Sequence, residues 1–297
     1  ARRVVNELVT LLTTHGLSIN VAKSQLNPVH QLVWNGLVWN TKSFSIKIPG
    51  KRLLRVRKSL QKTLKDNVHG RLQGLQLAST LGKMQACAEA VLPQRVYCRE
   101  AMASLNKALA MHKGNYKGLV RLSGAAREDL KWLVRHLRYW NGATLCMTPD
   151  IAATLTTDAS PYAFGAILRL QDGRVFETSG LFSRKERKRS QNHREAMAVV
   201  LSLQAFEWLL EDLLHQADKL SLLQVVLESD NMSVVSNVRK SGGRRRGFAR
   251  LIEALVKYCF QRRLQLLARW IPGISLQADA WSRELALKDN HRWCVTV

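Results

Sequence analysis

From Pro149 onward the chain changes its grammar, and that change limits the available folds more than any other feature. Three strand-like runs, IAATLTTDA, AFGAILRL and RVFETSGLFS, are separated by turn chemistry at Ser160-Pro161 and Asp172-Gly173. A long helix over about 193–214 follows, then a buried strand (LLQVVLESD), a short helix (SVVSNVRK) and a break at Gly242-Gly243. The sequence closes with a helix (GFARLIEALVKYCFQRR), a strand (LQLLARWIP) and a last helix opening at LQADAWSRE. Three hairpin-linked strands, then helix–strand–helix–strand–helix, predict an α/β unit: a mixed five-stranded sheet with flanking helices.

The preceding residues read differently. Over 1–48 a helix ends at Gly16, a plausible left-handed cap, and QLVWNGLVWN and FSIKIP have strand character. Asn35-Gly36 is a hairpin turn signal, although Trp34 and Val38 also fit one bulged strand. Over 49–148 nearly everything is helical. In KRLLRVRKSLQKTLKD, Leu53, Val56, Leu60 and Leu64 recur at spacings of three and four, and basic residues fill the other face. Ser123 is placed to cap AAREDLKWLVRHLRYW. The organisation expected is 1–48, a helical 49–148, and the α/β unit 149–297.

Charge narrows the function. The 297 residues carry 46 Lys+Arg against 22 Asp+Glu, a net charge of +24. A compact protein so charged repels itself unless a polyanion is its partner, and nucleic acid is the obvious one. The surplus is concentrated early: residues 1–150 hold 24 basic and 7 acidic side chains. No run of about 18 residues is both uncharged and predominantly apolar, which argues against a membrane span. The opening helix lacks a signal core, so a cytoplasmic or nuclear, non-secreted protein is expected, its start a cut through a longer one. Five cysteines, odd in number and without a C-x-x-C pair, fit a reducing compartment.

Four carboxylates interrupt the apolar pattern where this layout would bring them together. Asp158 closes the first strand, Glu195 lies early in the long helix, Asp230 closes the fourth strand, and Asp279 precedes the last helix. Strand C-termini in an open sheet share one edge, the usual crevice for chemistry. Clustered carboxylates raise one another's pKa unless cations intervene. Mg²⁺ prefers carboxylates plus substrate phosphate oxygens, and two such ions can activate water against a phosphodiester.

These motifs carry a resemblance. TTDAS-x-x-AFGAIL, HREAMAVVLSL, ESDNMSVV and ADAWSRE together resemble the ribonuclease H domain of retroelement reverse transcriptases, over about 149–290. The details SDNMSVV, KSGG and ADAWSR are most similar to tyrosine-recombinase retrotransposons of the DIRS type and their VIPER-like relatives, with gypsy-type elements second. The resemblance implies a ribonuclease H-like sheet with strands 1–3 antiparallel and 4–5 parallel. It implies two Mg²⁺ (or Mn²⁺) held by Asp158, Glu195, Asp230 and Asp279, and cleavage of RNA in an RNA–DNA hybrid. The loop histidine that many cellular members carry between the third and fourth acids is missing; His291 is the nearest afterwards.

Upstream, HGLSINVAKSQ resembles the polymerase motif that sets a lysine, here Lys23, near the incoming nucleotide. WNGLVW resembles the primer-grip hairpin of a palm, and the helices of 49–148 resemble thumb plus connection. The resemblance implies a template/primer duplex and the rest of a reverse transcriptase polyprotein as partners. The polymerase's own aspartates are absent, so this chain alone is not expected to polymerise. Asn192 and Asn231 are candidates for minor-groove contacts and Arg244, Arg245 and Arg246 for phosphates. Trp132, Trp140, Trp208 and Trp270 are expected as core anchors. The alternatives are a non-catalytic nucleic-acid-binding remnant and a DNA nuclease or transferase of the same fold.

Overall fold

The computed structural model describes residues 1–144, 151–216, 222–243, 246–275, 277–288 and 294–296. The chain forms two compact units, Ala1–Gln94 with Glu100–Cys146, and Arg95–Arg99 with Met147–Val297.

The first unit begins with α1 (Arg2–Thr14), closed by Gly16 at φ 78°. The Leu17 N–H reaches the Leu12 carbonyl and the Gly16 N–H the Thr13 carbonyl, the two bonds of a Schellman cap. Strands β1 (Gln31–Trp34) and β2 (Leu37–Asn40) form the expected hairpin. Asn35 and Gly36, both at positive φ (53° and 74°), supply the turn that suits the twist of paired strands. The sheet is completed by β3 (Ser45–Lys47) and, from far along the chain, β4 (Ala143–Thr144).

Its helices are α2 (Gly50–Val68), α3 (Gly74–Gln85), α5 (Arg99–Met111) and α6 (Gly124–His136), while the short α4 (Gln94–Tyr97) lies at the division, from Arg95 onward in the second unit. The Ser123 side chain accepts the Ala126 N–H, as its capping position predicts. Helix α2 buries Val56, Leu60 and Thr63 and exposes Lys51, Arg55, Lys58, Lys62 and Lys65. Those five cations recur every three or four residues, a stripe of about 21 Å at 1.5 Å per residue.

The second unit is built on one mixed sheet. Its strands are β5 (Ile151–Ala159), β6 (Ala163–Leu170), β7 (Val175–Leu181), β8 (Leu223–Ser229), β9 (Leu264–Trp270) and β10 (Cys294–Thr296). They lie in the order β10-β7-β6-β5-β8-β9. The first three are antiparallel neighbours, and β8 and β9 run parallel to β5. The five expected strands are thus present in the expected directions. A sixth, β10, pairs with β7 and covers what would otherwise be an open edge.

The flanking helices are α7 (Arg184–Arg187), α8 (Gln191–Ala205), α9 (Glu207–Gln216), α10 (Met232–Arg239), α11 (Arg246–Gln261) and α12 (Ala278–Lys288). Both α8 and α12 pack on β5, β6 and β7, with no comparable packing between the two among the described residues, so they cover opposite faces. This is why β6 reads as a nearly continuous apolar run rather than an alternating one. Phe164 and Phe182 lie in this core with ring centroids 6.0 Å apart, packed with Ala159 and Ala198.

Two expectations need correction. The helix anticipated over 193–214 is two helices, because the chain turns at Phe206 (φ −94°, ψ 11°) to sink that ring completely into the core. The four tryptophans do not share a core role. Trp140 is buried and Trp132 half-buried, but Trp208 and Trp270 are 54% and 44% exposed. Trp208 merely sets an edge against Phe176, and Trp270 ends β9 at the sheet rim.

One glycine sets how close α12 can come. A Cβ on Gly165 of β6 would stand 2.6 Å from the Ala278 carbonyl oxygen and 2.7 Å from the Ser282 nitrogen. Both are backbone atoms, so Gly165→Ala should cost about 1–3 kcal/mol by overpacking. A lower melting temperature checks this; an unchanged one would mean that α12 yields freely.

Candidate active site

Strand register places the first pair of acids. Thr156 of β5 is level with Glu228 of β8, and two residues further on along both strands stand Asp158 and Asp230. Because side chains alternate with a period of two, those residues emerge side by side at the C-terminal rim. Glu195 arrives from the second turn of α8. One carboxylate oxygen from each of Asp158, Glu195 and Asp230 lies within 4.8 Å of the others.

Each acid is held by its own surroundings. Gln191, one helical turn before Glu195, donates through Nε2 to Glu195 Oε1 at 2.6 Å and to the Ala159 carbonyl at 2.7 Å. Glu195 Oε2 is buried and has no hydrogen-bond partner. The Ser282 hydroxyl of α12 donates to Asp158 Oδ2. Trp270 Nε1 donates to the Asp230 carbonyl at 2.9 Å. A Cβ on Gly273 would stand 2.9 Å from Asp230 Oδ2, so that position keeps room for the carboxylate.

Burial and mutual repulsion push all three carboxyls upward. Glu195 is raised to about 8, by burial first and then by the Asp158 charge. Asp158 is raised by burial, against the lowering effect of its Ser282 hydrogen bond, and further by Asp279 and Asp230. Asp230 is raised by burial and by Asp279. A buried carboxylate oxygen with no donor, in a cluster that resists ionisation, fits a divalent cation chemically: the ion supplies the missing partner and removes the penalty on charge.

The fourth acid stands differently. Asp279 is the second residue of α12, inside the helix rather than before it, and does not join the close triad. Its Oδ1 accepts from Arg283 Nε at 2.7 Å, one turn further along, in an exposed pair. Its charge is nevertheless felt at both Asp158 and Asp230. Exposed pairs of this kind hold weakly, so Arg283 is a slight obstacle to Asp279 turning toward the triad.

The residues expected to meet nucleic acid have diverse fates. Asn231 N-caps α10, accepting from the Ser233 and Val234 N–H groups, and its Nδ2 donates to Asn192 Oδ1 at 2.9 Å. Asn192 in turn donates to the Ser233 hydroxyl, so the two amides form one polar ledge beside Asp230. Lys23 ends an exposed 3₁₀ turn, Val21–Lys23, capped by Asn20. Arg244 and Arg245 lie outside the described residues, as does His291; Arg246 opens α11. Gln191, Ser282 and Gly273 were not singled out from sequence, and Trp270 was expected only as a core anchor, not at the site. The first two stand four residues before Glu195 and three after Asp279, on the same helix faces as those acids, a spacing that could have flagged them.

No curated protein matches the chain. Among solved structures it is similar to a foamy viral protease-reverse transcriptase (dRH) in complex with double-stranded DNA, at TM-score 0.37 and 12% identity, over 90% of this chain and 42% of that one. It is also similar to ribonuclease H1 from the halophilic archaeon Halobacterium salinarum NRC-1, at TM-score 0.35 and 17% identity, over 45% of this chain and 96% of that one. LC11-RNase H1 in complex with RNA/DNA hybrid is similar at TM-score 0.35 and 19% identity, over 46% of this chain and 99% of that one. The chain thus spans less than half the length of the foamy viral protein. Residues 145–217 match the family model of the RNase H-like domain found in reverse transcriptase, and the sheet order of the second unit is that of the RNase H-like fold.

Proposed function

We propose that the second unit is an endonuclease that hydrolyses the RNA strand of RNA–DNA hybrids with two divalent cations, as part of a retroelement reverse transcriptase. The observation that carries this reading is the meeting of Asp158, Glu195 and Asp230 within 4.8 Å around a buried, unpartnered Glu195 oxygen. The family match over residues 145–217 supports it. In this reading Asp158, Glu195 and Asp230 would hold the ions, with Asp279, now paired with Arg283, as the fourth carboxylate available to them. When bound, Mg²⁺ or Mn²⁺ lowers the pKa of water and neutralises charge on the departing oxygen. Water adds to phosphorus in line and the bond to O3′ breaks, leaving 3′-hydroxyl and 5′-phosphate ends.

The protein's own residues select and hold the substrate. The Asn192–Asn231 ledge adjoins the acids and offers amides to the 2′-hydroxyls and base edges of a wide minor groove, which distinguish RNA from DNA. The cationic stripe of α2, with Lys23 and the arginines of 244–246, would neutralise phosphates without reading sequence. A template/primer duplex and the remainder of a polyprotein are the partners this reading assigns. The motif details point to a DIRS-type element, with gypsy-type second.

The test is cleavage of labelled RNA–DNA hybrid, single-stranded RNA and duplex DNA, each with Mg²⁺, Mn²⁺ or chelator. Cutting of the hybrid's RNA strand alone, abolished by chelator, is expected. Tight binding without cutting under either metal would leave a nucleic-acid-binding remnant, and cutting of duplex DNA would make the fold a DNA nuclease.

A further inference from the structure

We infer that Ser282 is a positioning residue of the cation site: its hydroxyl fixes the Asp158 carboxylate and ties it to the helix that carries Asp279. This rests on the proposed reading of the triad as a cation site and adds a residue that the four-acid set does not contain.

The geometry is unusual for a serine in the second turn of a helix. Ser282 is fully buried, although its helix neighbour Arg283 is exposed. Its hydroxyl lies within hydrogen-bond distance of two acceptors, Asp158 Oδ2 and the Asp279 carbonyl oxygen at 3.1 Å. One hydroxyl has one proton. The carboxylate, carrying the charge, is the stronger acceptor and takes it.

Ser282 is therefore the link between a strand-borne acid and the helix-borne acid three residues before it. The approach is made possible by Gly165, which is paired directly with Asp158 and leaves no room for a Cβ beneath the Ser282 nitrogen. Paired residues on neighbouring strands point to the same face, so Asp158 and the vacant side of Gly165 both meet α12.

The consequence is directional. Asp158 is buried and repelled by Asp230 and Asp279, so an untethered carboxyl gains by turning away from the rim. The Ser282 hydroxyl restrains one oxygen and leaves the other to a cation. Partners standing behind a metal-binding carboxylate are commonly worth 10–100-fold in metal affinity.

The experiment measures Mn²⁺ binding to the full chain, without nucleic acid, by electron paramagnetic resonance, with melting temperature recorded alongside. Ser282→Ala should weaken Mn²⁺ binding about 10-fold. Ser282→Thr, which restores the hydroxyl, should recover most of it. Unchanged Mn²⁺ affinity in Ser282→Ala would overturn the inference. Equal loss in Ser282→Ala and Ser282→Thr would also overturn it, since side-chain volume rather than the hydroxyl would then matter. If Ser282→Ala does not fold, the near-isosteric Ser282→Cys is read instead, and wild-type affinity there overturns the inference. A wild-type chain that binds no Mn²⁺ sinks the cation-site reading itself, a result distinct from wild-type binding that Ser282→Ala leaves intact.

Discussion

Asp158→Asn should lower hybrid cleavage by on the order of 10³-fold or more while leaving hybrid binding nearly unchanged. The substitution keeps the size and shape of the side chain and removes one charge from the centre of the triad. A loss of that size corresponds to about 4 kcal/mol of transition-state stabilisation, the several kcal/mol that cation catalysis supplies. Binding, by contrast, is carried by phosphate contacts spread over a chain of net charge +24. Cleavage rates and hybrid affinity measured at one fixed salt concentration separate the two. Cleavage by Asp158→Asn within 10-fold of the parent would show that the chemistry lies elsewhere.

The second large effect concerns stability, pH and metal together. Glu195 titrates near 4.5 in an unfolded chain and near 8 in the folded one. Between those values the folded state keeps a proton that the unfolded state has lost. The stabilisation from this group is therefore complete below about pH 4.5 and is lost as pH rises toward 8. The slope is at most about 1.4 kcal/mol per pH unit for one group, so the loss amounts to a few kcal/mol. Asp158 and Asp230, also raised, act in the same direction.

In chelator, the melting temperature should accordingly drop by several degrees from pH 5 to pH 8. Mg²⁺ should remove most of that drop, because a bound dication favours the ionised carboxylates. Glu195→Gln, neutral at every pH, should melt higher than the parent at pH 8 in chelator and show a markedly shallower pH dependence. A flat chelator curve for the parent would mean that water reaches Glu195 and relieves its burial.

Much of the second unit was legible because its signals are local. Ser160-Pro161, Asp172-Gly173 and the apolar runs around them specify hairpins without help from distant residues, and β5, β6 and β7 form accordingly. The break at Phe206 was not legible, since helical periodicity continues through it and only the demand of the core for that ring turns the chain. Nor was β10, a three-residue strand that exists because β7 has a free edge. Trp270 reads as a core residue by composition, yet its place at the end of β9 puts it on the rim.

The candidate site divides in the same way. Asp158, Glu195 and Asp230 were marked by sequence as charges breaking apolar runs, and the structure brings their oxygens together. The spacing of ADAWSRE could place Ser282 on the face of Asp279, but its bond to Asp158 depends on Gly165 permitting a close helix approach, a three-dimensional fact that the spacing does not carry. The Asn192–Asn231 pair joins residues 39 positions apart and could be anticipated only as two separate polar side chains.

The parallel pairing of β5 with β8 has a consequence for folding fidelity. A slip of one residue between those strands would swing either Asp158 or Asp230 onto the opposite face. The mispaired sheet would still be hydrogen-bonded and largely apolar, so spectroscopic signs of secondary structure would scarcely register the error. Catalytic turnover would. On the proposed reading, specific activity per folded molecule would therefore report on strand alignment that bulk measures of foldedness overlook.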